Sequence, residues 1–378
     1  MYMLIGLGVS SFIILLSGNP VECFEILDAM QYQANLKYIS SNFPEHVMIY
    51  FESSEIVTII PIFEKLKILE LYQVFIGQVY VPAFGKFLFY NINSDLITNL
   101  SSLIVQIGMA GVLFLISKMY LKIVFNIQYT KIRTFIYCNK MLCITQQIAF
   151  LVHKINRLSL GINQMMSLQG VVYIIKANCW DLLFKTMLYL YSEKENNLRN
   201  QIQDILAQSL LVSVLVLVFY IFKIKDSQMA LKKRKSLCYD GLNVAKKILF
   251  VLVLIGCQKS QLLQSILLSL INSIYLTIIV LGKMVNSKID LIIILMFEIP
   301  VIIFTLLNIC HEETYSHFLS LQSQVMVGFG QIGLLSFGIM APLIKYGHQI
   351  KSKLTILIKR WKKYKVNQKE QAQSSLFI

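Results

Sequence analysis

Residues 288–307 read Lys-Ile-Asp-Leu-Ile-Ile-Ile-Leu-Met-Phe-Glu-Ile-Pro-Val-Ile-Ile-Phe-Thr-Leu-Leu. An apolar run of about 20 residues is the length that crosses a bilayer as one helix. A carboxylate, Glu298, stands near its middle, with Pro300 two residues on. A charge at mid-bilayer costs about 2.5–3.5 kcal/mol on insertion scales, so such a group faces a bundle interior or a water-filled cavity. Pro300 has no N–H for the carbonyl of Met296, which predicts a kink and a free carbonyl. Two readings stay open here. Glu298 and the kink hold a cation or a proton, or a protonated Glu298 bonds a neighbouring helix and the kink is plain packing.

The composition agrees with a membrane-spanning helix. The chain has 378 residues, 56% hydrophobic and 15% charged, with mean hydropathy +0.64. Soluble domains carry about 25% charged residues, and here the apolar residues come in long blocks, as membrane spans require. The net charge of +15 would fit a nucleic-acid binder. Its placement excludes that: the bases flank apolar runs in three blocks, the pattern of cytosolic loops. Seven scattered cysteines with no C-x-x-C support neither a disulfide framework nor a zinc site.

Charge alternation then orders the chain. Met1–Gly18 is apolar and uncharged, without the basic start of a signal peptide. It reads as a first span, an uncleaved anchor, or the remnant of a span with a missing upstream domain; a span is favoured. Asn19–Ser41 is predicted to be a helix at the membrane surface or a more polar span, ended by Phe43-Pro44. Glu45–Asn99 holds six acids against three lysines and reads as a small extracytosolic region hugging the membrane. Its Asn99-Leu-Ser sequon abuts the next span, so it is expected to be unused.

Ser102–Phe125 is a strong span, and no acidic residue lies between Ser101 and Trp180, which puts residues about 126–165 in the cytosol. Met166–Tyr191 reads as a polar span in which Asp181 and Lys185, at i and i+4, pair. Ile205–Phe222 runs inward to the basic block Lys223–Lys247, with eight bases against Asp226 and Asp240. Val244–Gln258 and Leu262–Gly282 read as a tight hairpin with a short first arm. The Glu298 helix runs outward and Val325–Ile344 returns inward, to the eight bases of Lys345–Lys365.

The expected architecture is all-α, a polytopic helical membrane bundle of about eight spans with interfacial amphipathic helices. Its parts are a first span at 1–18, an interfacial helix and small extracytosolic region at 19–100, the transmembrane bundle at 101–345, and a basic cytosolic tail at 346–378. The plasma membrane is the expected location, and a homo-oligomer is an expected assembly. In the tail, Ile350, Leu354, Leu357, Ile358, Trp361 and Tyr364 share one helical face. Lys351, Lys353, Lys359, Arg360, Trp361, Lys362 and Lys363 are therefore expected to bind anionic lipid; a basic flank without further role is the plainer alternative.

Met326-Val-Gly-Phe-Gly330 resembles a potassium-channel filter, yet only about 14 apolar residues follow before Lys345, too few for a complete inner helix. Glycines that let helices approach closely are the better account. His311-Glu312-Glu313 with His317 lacks the spacing of a two-histidine metal site. No nucleophile elbow, P-loop, H-E-x-x-H or dinucleotide fingerprint is present, so neither an enzyme nor a cofactor is expected.

The lysine-led run Lys246-Lys-Ile-Leu-Phe, the polar break Gly256-Cys-Gln-Lys-Ser-Gln261, the loop Leu281–Lys288 and Glu298 together resemble ciliate multi-pass surface proteins related to the fungal TRP-like (flavin-carrier) family. Phe24–Gln31, Tyr38 and Asn42-Phe-Pro44 are similar to that family's segment after its first span. Lys283 is followed by Met284 where members carry proline. The resemblance implies a TRP-like cation channel or transporter. Glu298, Asn272, Gln264 and Gln331 are then the candidate ion or proton pathway. The alternative is a non-conducting surface or receptor-type membrane protein that binds a partner through its outer loops, with Glu298, Asp181 and Lys176 as glue between helices. Whether the four pathway residues line one continuous wet path discriminates between the two.

Overall fold

The computed structural model describes residues 28–29, 31–55, 77, 79–123, 154–156, 159–160, 168–223, 231–285, 287–312, 318–338 and 340–341, with single positions at 347, 351, 354, 355 and 358. Among these the chain is all-helical. The helices are α1 (31–36), α2 (Glu45–Glu55), α3 (Lys86–Phe89), α4 (Leu96–Asn99), α5 (Ser101–Ile123), α6 (Leu168–Tyr191), α7 (Leu198–Lys223), α8 (Leu231–Gly256), α9 (Gln261–Leu281), α10 (Lys288–Leu307) and α11 (321–338). A short 3-10 turn, Asn308–His311, follows α10. An isolated antiparallel bridge joins Pro82 to Asn93. Three of the helices, α7, α9 and α10 with its 3-10 extension, are long and apolar enough to cross a membrane.

The chain divides into two compact units, one made of 1–57 with 213–378 and the other of 58–212. In the first, α8, α9 and α10 pack in sequence. Ser260 starts α9, its hydroxyl accepting from Leu263 N, and Ser287 starts α10, accepting from Ile289 N and Asp290 N. These caps satisfy amides that the first turn leaves without partners. The amino-terminal stretch 28–51 belongs to the same core, where Tyr32, Leu36, Ile39, Phe43, Val47 and Phe51 are buried. Phe43 and Phe51 close on Phe304 of α10 at centroid distances of 5.9 and 6.0 Å.

Burial in this unit is inverted relative to a water-soluble helix. The inner face of α9 carries Gln264, Ser265, Ser269 and Asn272. Its outer face carries Leu263, Ile266, Leu270 and Ile274, each 45–52% exposed. In α10 the buried set includes Glu298 and Thr305, and the exposed apolar side chains are Ile292, Ile299, Ile303 and Leu306.

In the second unit, Phe87 is buried against Phe184 of α6 with centroids 5.5 Å apart. Asp95 caps α4, accepting from Thr98 N at 3.0 Å, and also binds Arg199 Nη2 at 2.9 Å and Gln203 Nε2 at 2.7 Å. Asn99 donates its side-chain amide to Asn93 O, so the sequon nitrogen is engaged within the fold.

Two expectations change. The helix entering the α8–α9 hairpin is not a short arm: α8 runs 26 residues and begins well inside the basic block. Lys246 and Lys247, grouped with the cytosolic bases in the sequence, are 4% and 0% exposed within it. Segments 1–18, 126–153 and most of the basic tail lie outside the described residues.

Candidate functional site

The register of the three consecutive helices builds the site. Gln261, the first residue of α9, donates its amide to Asn308 O just past α10 at 3.0 Å. That bond ties the start of α9 to the end of α10, and α8 ends close by at Gly256. From this level Lys246 lies ten residues back along α8, Glu298 nine back along α10, and Asn272 eleven forward along α9. At about 1.5 Å per residue all three sit roughly 14–17 Å down, in one layer.

That layer is an ion pair in an aromatic cage. Lys246 Nζ donates to Glu298 Oε1 at 2.6 Å, with side-chain exposures of only 3% and 6%. The ammonium also lies 4.2 Å from the centroid of Tyr32 and 4.6 Å from that of Tyr275. Ring faces attract a cation, most strongly where water is excluded. Tyr32 donates its hydroxyl to Asn272 Oδ1 at 2.8 Å, and its ring meets Phe250 edge-on at 5.0 Å. The neighbouring Lys247 pairs with Asp28. Thus α1 and α8–α10 all converge on two lysines. Glu298 Oε2 and Asn272 Nδ2 are buried without a hydrogen-bond partner among the described residues.

Of the four candidate pathway residues, Glu298 and Asn272 belong to this layer and the other two do not. Gln264 donates to Leu254 O at 2.7 Å and accepts from Ser40 N at 2.7 Å. With Gln258 on Tyr38 O and Gln261 on Ser41 Oγ, it clasps the turn at residues 38–41. Gln331 donates to Asn308 Oδ1 at 2.7 Å, and its Oε1 lies 3.1 Å from His311 Nε2. Gln331 of α11 is therefore bonded to His311 and Asn308 of the 3-10 turn beside the clasp.

Pro300 lies buried inside α10. Asp181 and Lys185 form an ion pair at 2.6 Å along α6. Residues 326–330 are helical within α11, whereas a filter requires stacked carbonyls turned to the pore. Gly328 and Gly338 have close neighbours: an added Cβ would run into the His46 imidazole at the first and meet Gln33 Nε2 at 3.2 Å at the second. Gly330 and Gly333 face open space. Lys351 is exposed and helical, while Lys353, Lys359, Arg360, Trp361, Lys362 and Lys363 lie outside the described residues. Among the described residues no cluster of three His, Cys, Asp or Glu side chains forms a metal site.

Sequence reasoning missed Lys246 as the partner of Glu298. Counting down three antiparallel helices from the polar break at 256–261 would have found it.

Compared with known proteins, the chain matches no protein-family model, no curated protein and no solved structure.

Proposed function

We propose that this chain is a multi-pass integral membrane protein of about eight spans, set in the plasma membrane with its carboxyl end in the cytosol. It works as a non-conducting, receptor-type protein whose outer loops bind a partner. The inverted burial of α9 and α10 supports the membrane setting, because apolar side chains face outward in lipid while polar ones turn to the bundle. The observation that carries the non-conducting reading is the pairing of Glu298 with Lys246. The carboxylate that would attract a permeating cation is neutralised by an internal ammonium, and Gln264 and Gln331 are bonded into the clasp and its neighbouring turn.

A second reading, a TRP-like cation channel or transporter, is favoured by two buried polar atoms that find no hydrogen-bond partner among the described residues, Glu298 Oε2 and Asn272 Nδ2. It is also what the motifs of Lys246–Pro342 imply. In either reading the basic tail contacts anionic lipid, and copies of the chain associate.

The test is ion flux through liposomes reconstituted with purified chain, wild type beside Glu298→Gln. Background flux from both proteins is expected. A cation current abolished or altered by the substitution would establish the second reading instead.

A further inference from the structure

A loop in the second unit exposes aromatic side chains on a fixed frame. Residues 79–94 double back on themselves: Val81 N donates to Asn93 Oδ1 at 3.0 Å, Asn93 Nδ2 donates to Val79 O at 2.8 Å, and Ser94 N donates to Val81 O at 2.8 Å. Gly85 and Asn91, both with positive φ, turn the chain on either side of α3. Phe87 points inward and is fully buried against Phe84 and Phe184. This anchoring leaves the next two side chains outside, Leu88 at 51% and Phe89 at 68% exposed, with Tyr80 at 59% beside the base of the loop. Lys86 Nζ lies 5.5 Å from the Phe89 ring centroid.

We propose that this loop is a membrane-interface anchor that seats Leu88, Phe89 and Tyr80 among lipid headgroups. Three observations select lipid as the occupant. Aromatic and aliphatic side chains beside one lysine are the mixture that interfacial belts use. The loop itself carries no carboxylate to repel phosphates: no acid occurs between Glu70 and Asp95, and Asp95 is buried on Arg199 and Gln203. The loop also leads through α4 directly into α5, whose exposed side chains include Val112, Leu115, Ile116 and Met119. The anchor would hold the extracytosolic region against the bilayer where α5 enters it. This inference rests on the membrane reading above.

The experiment uses the intact wild-type chain in liposomes containing a phospholipid with a photoreactive diazirine near the headgroup. Adducts are mapped by mass spectrometry, with hydroxyl-radical footprinting in parallel. Lipid adducts on residues 80–89, with radical protection of Phe89, are the expected result. Radical oxidation of Phe89 without adducts makes the loop a solvated one and overturns the proposal. Protection without adducts means another protein surface, such as a second copy, covers it, and this also overturns it. Leu88→Ser/Phe89→Ser should lose the adducts while staying in the membrane. Alkaline carbonate extraction separates membrane insertion of the chain from anchoring by the loop. A chain released by carbonate defeats the membrane reading itself, whereas a retained chain without adducts defeats only the anchor.

Discussion

Lys246 and Lys247 show how far two side chains can depart from the rest of a basic run. In the sequence they close the block Lys223–Lys247, yet Lys246 sits 4% exposed against Glu298 between two tyrosine rings and Lys247 is fully buried beside Asp28. Removing one member of a buried pair leaves the other charge without compensation, at a cost of about 3–5 kcal/mol. Lys246→Met and Glu298→Leu should each lower stability by that order in denaturant titration of the detergent-solubilised protein. The double variant should recover most of the loss, because two apolar side chains replace a costly pair. A loss in the double variant equal to the sum of the two single losses would mean that the pair contributes nothing as a unit. Glycine positions separate just as sharply. A Cβ at Gly328 displaces the tip of the His46 ring from its stack on Phe329, so Gly328→Ala should destabilise by about 1 kcal/mol. Gly333→Ala, with no neighbour within 4 Å, should stay within about 0.5 kcal/mol. Helix approach through glycine was legible in the sequence. Which glycines touch was not, since that depends on where α2 lies.

Among the elements, α9 and α4 show what periodicity does and does not reveal. Both faces of α9 look apolar at first reading, because four small or amide side chains are diluted among leucines and isoleucines. Their spacing at 264, 265, 269 and 272 marks one face. That stripe becomes meaningful only when α8 and α10 are seen to enclose it. The clasp of glutamines on the turn at 38–41 was not legible at all, because it joins residues more than 200 positions apart. The short α4 depends on Asp95. Burial alone would push this carboxyl up, but hydrogen bonds from Arg199, Thr98 and Gln203 outweigh it and hold the group below the usual carboxylate value. Its folded value is therefore lower than its unfolded value of about 3.9. The stabilisation is fully present above that unfolded value and is lost as pH falls through the lower folded one. Amide exchange at residues 96–100 should accordingly accelerate in acid beyond its intrinsic pH dependence. Asp95→Asn should remove that excess and expose these amides faster at neutral pH. An unchanged acid response in the variant would assign the effect to another group.

At the scale of the whole molecule, the helical class and the apolar segments were legible because burial in lipid demands long runs, and runs survive without knowledge of contacts. The way distant segments combine was not legible. Residues 1–57 join 213–378 in one compact unit, with 58–212 forming the other, and no charge count registers such an interruption. Topology remains testable from both kinds of argument together. The bond from Gln261 to Asn308 puts the α8–α9 turn and the end of α10 on one side. The α9–α10 connection at 282–287 must then lie on the other; it contains Lys283 and is followed by Lys288 at the start of α10. Loop bases favour the cytosol, so the turn at 257–260 and the stretch after His311 should face outward. Acceptor sequons carried on flexible inserts after Lys259 and after Glu313 should be glycosylated in a eukaryotic expression host. Inserts after Val285 and at the carboxyl end should remain unmodified. Modification after Val285 but not after Lys259 would invert the bundle and place the Lys246–Glu298 layer at the same depth from the opposite face. The ion pair would survive that inversion, and the positive-inside assignment would not.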